Sequence, residues 1–146
     1  MSTAYEAPIS AQRLAIRQTS RLTGLADVPD AREFFGEVTE SVLESAGKFA
    51  REVLSPLNRV GDQSPSQLHS GRVITPPGFA NAYRRYAADG WTSLGAPAAH
   101  GGQGLPHVLG AAATEMWGSA NLAFAMCPEL TVGVVAALQG HAAPAL

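Results

Sequence analysis

The stretch from Asp30 to Leu57 constrains the fold more than any other part of the chain. Phe35, Val38, Val42, Ala46, Phe49, Val53 and Leu57 recur at helical spacing, while Glu37, Glu40, Glu44, Lys48, Arg51 and Glu52 fall largely on the opposite side. Asp30 followed by Glu33 reads as the Asp form of a capping box that opens this helix, and Pro56 is expected to close it by disfavouring helical geometry at Ser55. One long amphipathic helix needs partners for its apolar stripe, so the rest of the sequence has to supply them.

Four further helices are predicted. Ser10 to Leu22 places Leu14, Gln18 and Leu22 on one row, with Gly24 as terminator. Thr75 offers a cap with Pro76 at the first helical position, ahead of Phe79, Ala82, Tyr83 and Tyr86, and this helix stops at Asp89-Gly90. Val108 to Trp117 and Leu122 to Leu138 then form an apolar pair, the second interrupted or entered at Pro128. Asn58 to Gly71 and Trp91 to Pro106, rich in Gly and Pro, read as connections. No segment shows convincing strand alternation, so the expected class is all-α, with residues 1–29 as an extension carrying a short helix and 30–146 as the helical domain.

Composition narrows the function classes. At 146 residues with 46% hydrophobic and 15% charged residues, the chain is a single folded domain and not a disordered one. A formal charge of −2, with only Arg84-Arg85 adjacent among the basic residues, disfavours nucleic acid. One cysteine excludes an intramolecular disulfide, and a reducing, cytoplasmic setting fits best. Ser119 to Gln139 carries a single charge, Glu129, but that charge sits centrally beside Pro128, so a helix buried in a bundle is favoured over a membrane span.

The residues themselves supply no catalytic constellation and no metal-ligand spacing. His69, His100, His107 and His141 are scattered and read as solvated or locally bonded imidazoles. Gly101-Gly102-Gln103-Gly104 lacks the Lys-Ser/Thr of a phosphate loop and reads as a tight turn. Cys127, among apolar neighbours, reads as a buried, inert thiol.

Gly90-Trp91 through Pro97, then Gly101-Gly102-Gln103-Gly104-Leu105-Pro106, resembles the G-W…P…GGxGLP passage of the acyl-CoA dehydrogenase N-terminal domain. Flanking segments match in order: Phe49-Ala50, Pro56-Leu57-Asn58 and Gly61-Asp62; Gly71-Arg72-Val73, Thr75-Pro76, Gly78-Phe79 and Ala82-Tyr83; Glu115, Ala120-Asn121 and Phe124. Tyr5 with Ala7-Pro8 resembles the extension of the longer branch, which includes 3-methylmercaptopropionyl-CoA dehydrogenase-like enzymes.

The resemblance implies a helical bundle belonging to an FAD-dependent oxidoreductase acting on CH-CH groups, which converts acyl-CoA thioesters to 2-enoyl-CoA. It implies an acyl-CoA substrate, an electron-transfer flavoprotein-type acceptor and a homo-oligomer at full length. The middle β-domain with its T-E-x-x-A-G-S-D motif and the C-terminal helical domain with the glutamate base are absent from these 146 residues. The expectation is therefore a truncated family member with no catalytic residue of its own, inactive alone and retaining no FAD. By the same resemblance Phe124, Met126, Cys127, Leu130 and Thr131 border the acyl chain. The competing expectation is a free-standing helical interaction module that docks a partner through the apolar face of Ala111 to Leu138.

Overall fold

A computed structural model describes residues 5–24, 27 and 35–143. The capping box at Asp30 and Glu33 lies outside the described residues. The architecture is an all-α bundle with one small hairpin. Its elements are α1 (Ile9–Leu22), α2 (Glu37–Phe49), a π-helical turn (Ala50–Leu54), α3 (Ser55–Gln63), the antiparallel strands β1 (Gln67–His69) and β2 (Arg72–Ile74), α4 (Phe79–Ala88), α5 (His107–Ala120) and α6 (Leu122–His141).

The long helix does not end at Pro56. The Ser55 amide donates to the Ala50 carbonyl, five residues back, and the chain continues from this widened turn into α3 with Pro56 in its first turn. A proline inside a regular α-helix removes a donor and its ring collides with the carbonyl four residues earlier, and a π-turn gives that ring room. The stretch expected to be loop therefore begins as helix and ends as a hairpin. Gln67 pairs with Ile74, Leu68 with Val73 and His69 with Arg72, across a turn whose central residues Ser70 (φ 49°) and Gly71 (φ 77°) are both left-handed. Two positive φ values match the right-handed twist of a tight hairpin.

The start of α4 also moves: Thr75 and Pro76 precede a turn in which Phe79 N donates to Pro76 O, and the helix opens after Gly78.

The core gathers Leu43, Ala46, Phe49, Ala50 and Leu54 against Leu109, Ala113, Met116 and Trp117 of α5, with Ala82 and Tyr86 of α4 closing one side. Aromatic rings form its centre. Trp117 meets Tyr86 edge-on at 5.0 Å between centroids and Trp91 at 5.1 Å, a geometry that adds roughly 0.5–1.5 kcal/mol per pair beyond area burial.

Helix α1 docks with a face other than the one its leucines mark. Gln12, Ile16 and Ser20 are buried, whereas Leu14 is 60% and Leu22 85% exposed. Burying the polar pair is tolerable because Gln12 Nε2 donates to the Ala112 carbonyl at 2.9 Å and Ser20 Oγ to that of Ile16 at 2.8 Å. Arg13 and Arg17 pair with Glu40. Ala7 and Ile9 lie against Gly47, where a Cβ would come within 2.9 Å of Ala7 Cβ.

Helix α6 corrects the expectation of burial. Its first two turns bury Phe124, Ala125 and Pro128, but beyond them nearly every residue is exposed. It is long and apolar enough by length and composition to cross a membrane, and only 17% of its most apolar stretch is buried.

Candidate functional site

Where α6 leaves α5, Asn121 makes the junction rigid. Its side chain is 1% exposed, Nδ2 donates to the Leu54 carbonyl at the end of the π-turn (3.2 Å), and Oδ1 accepts from Phe124 N (3.0 Å) as the cap of α6. One side chain thus ties the start of α6 to the place where α2 passes into α3.

That tie opens a groove of about 800 Å³. Asn58, Gly61 and Asp62 of α3 form one wall, Phe79, Ala80 and Tyr83 of α4 another, and Ala123, Phe124 and Cys127 of α6 a third. Pro65, Ser66, Thr75 and Pro76, the two feet of the hairpin, complete the rim. The rings of Phe79 and Tyr83 each stand 6.5 Å from that of Phe124. Phe79 lies over Gly61 so closely that a Cβ there would be 3.0 Å from the ring. Polar groups sit mainly at the margins, as Asp62 and Arg84. An apolar trough with a polar edge suits a hydrocarbon chain attached to a polar head.

Of the residues expected to border an acyl chain, the structure brings Phe124 and Cys127 to the groove. Each residue of an α-helix turns the side chain by about 100°, so Met126 and Leu130 face elsewhere, 64% and 74% exposed, and Thr131 lies a turn beyond the groove end. The thiol of Cys127 is exposed, not buried, because the groove is open on that side. Phe79 and Tyr83 were legible as a helical face but not as a groove wall, since nothing local announces that α4 lies opposite α6.

Behind the groove, Tyr86 is held neutral. Burial is the main cause that pushes its phenol well above the ordinary value near 10, with Tyr83 and Glu129 adding to it. Its hydroxyl points to the Trp91 carbonyl at 3.4 Å.

A second, smaller depression of about 400 Å³ lies between α2 and α4, lined by Lys48, Arg85, Asp89 and Gln103 among others. Arg85 is engaged there, with Asp89 at 3.5 Å and the Phe49 ring 5.8 Å from its guanidinium.

The Gly101–Gly104 loop is closed on itself. Gly101 N donates to Ala98 O, Gly102 N to Pro97 O, Gln103 N to Ser93 O and Gly104 N to Ala96 O, all within 3.1 Å. At Gly102 a Cβ would sit 2.0 Å from the Ala96 carbonyl oxygen. With these amides spent, the loop has no donors to offer a pyrophosphate.

No protein-family model matches the chain. A curated protein from Ruegeria pomeroyi, 3-methylmercaptopropionyl-CoA dehydrogenase, is 40% identical to it over 134 residues, which is 92% of this chain and 23% of that protein. Along nearly its whole length, then, the chain is similar to a 23% portion of an acyl-CoA dehydrogenase, the family its Gly90–Pro106 passage resembles.

Proposed function

We propose that this chain is the helical part of a flavin-dependent acyl-CoA dehydrogenase that walls the acyl-binding cavity, while the redox step belongs to other parts of a longer protein. The observation that carries this reading is the aromatic groove between α3, α4 and α6, into which Phe124 and Cys127 project. When bound, FAD would accept the hydride lost from the substrate. What the residues of this chain do is narrower: Phe79, Tyr83 and Phe124 hold an apolar chain and exclude water from it. In this reading the acceptor is an electron-transfer flavoprotein-type protein, the full-length protein is a homo-oligomer, and its setting is cytoplasmic.

The test has two arms. The chain alone should purify colourless and show no acyl-CoA-dependent dye reduction. A chimera in which it replaces the matching 23% of the Ruegeria protein should bind FAD and reduce the dye. Turnover by the chain alone would overturn the division of labour, and a folded but inactive chimera would overturn the family reading.

A second reading, a free-standing module that docks a partner protein, is favoured by the exposure of Met126, Leu130, Val134 and Leu138. A soluble, partner-free monomer in light scattering counts against it.

A further inference from the structure

We propose that the hairpin Gln67–Ile74 is a lid that folds over the groove when an acyl chain occupies it. The proposal rests on the acyl-chain reading of the groove and adds to it a device that retains the ligand. Both feet of the hairpin are groove residues: Pro65 and Ser66 lead directly into β1, and Thr75 and Pro76 lead directly out of β2. Between the feet every residue of both strands is exposed, and each strand packs chiefly on the other. A hairpin that stands alone in this way is marginally stable, so little has to be broken to move it.

Its outward residues are the wrong ones for permanent solvation. Leu68 and Val73, paired across the strands and so on one face of the hairpin, are 76% and 67% exposed. Closing over an empty trough of about 800 Å³ would leave a void beneath these side chains, with no atoms to meet them. A hydrocarbon chain lying on Phe79, Tyr83 and Phe124 supplies that missing surface. Ligand and lid then bury each other, and the open form is the resting one.

The experiment uses this chain with dodecanoyl-CoA, and coenzyme A as the control. Occupancy of the groove is read by alkylation of Cys127, the single cysteine, and lid closure by hydrogen exchange of the amides of 67–74. Dodecanoyl-CoA should slow both, while coenzyme A alone slows neither. Leu68→Ser/Val73→Ser, at exposed positions that leave the fold intact, should bind dodecanoyl-CoA about tenfold more weakly with an unchanged melting temperature. Slowed alkylation with unchanged hairpin exchange and wild-type affinity in the double variant overturns the lid and leaves the groove reading standing. Hairpin protection by coenzyme A alone also overturns it. If dodecanoyl-CoA does not slow alkylation, the groove reading falls and the lid with it.

Discussion

Helices α5 and α6 are neighbours in sequence, separated by Asn121 alone, and both are apolar with one acidic residue each, Glu115 and Glu129. Their fates differ. Leu109, Ala112, Ala113, Met116, Trp117 and Ala120 place α5 in the middle of the bundle, whereas α6 is buried only at Phe124, Ala125 and Pro128. Burial here follows from what lies opposite each turn and not from the residues of the turn itself. Opposite α5 stand α2 and the π-turn; opposite the second half of α6, among the described residues, stands nothing comparable.

The sharpest way to break this comparison is to truncate one residue in each helix. Trp117→Ala removes the ring that meets Phe49, Tyr86 and Trp91, and should cost about 3–5 kcal/mol in urea unfolding. Next in size, Asn121→Ala removes the cap of α6 and strips the Leu54 carbonyl of a buried donor, for about 1–3 kcal/mol. Its loss should also free α6 first, seen as faster exchange at Phe124 than at Met116.

A smaller effect concerns pH. The folded state keeps Tyr86 protonated beyond the point where an unfolded tyrosine ionises, so the unfolded chain binds fewer protons above pH ~10 and stability falls as pH rises through that value. Tyr86→Phe should flatten the decline without removing it, because Tyr5 is raised as well, chiefly by burial and then by Glu115. Equilibrium unfolding between pH 8 and 11 measures it. The smallest effect is expected at Leu130→Ala, within about 0.5 kcal/mol of the parent. A loss there comparable to that of Trp117→Ala would mean that α6 is packed after all.

The elements legible in sequence are those whose apolar residues find a partner at helical spacing. The stripe from Val42 to Leu57 runs along one such stretch, although Leu43, Ala50 and Leu54, outside the expected row, are buried as completely as Ala46 within it. Helix α1 misleads because its inward face carries Gln12 and Ser20, made acceptable by bonds to carbonyls that no pattern of hydrophobicity records. The hairpin was missed because all six strand residues are exposed, which leaves no in-and-out alternation. Ser70-Gly71 was the available signal. At the groove, Phe124 was legible and the exposure of Cys127 was not, since it depends on where α6 stands relative to α3 and α4, elements with no local sign of it.

The π-turn at Ala50–Leu54 makes the chain a counting device. It carries one residue more than a regular α-helical path needs, so closing it to ordinary winding with every residue kept would rotate everything downstream by about 100°. Leu57 and Gly61 would then turn away from Gly78 and Phe79, which they now touch, and the groove would lose its α3 wall although no groove residue had been changed. The facing of α3 therefore depends on the width of this turn and not on its exposed side chains: Arg51 and Glu52 can be exchanged for other helix formers so long as the wide turn is kept.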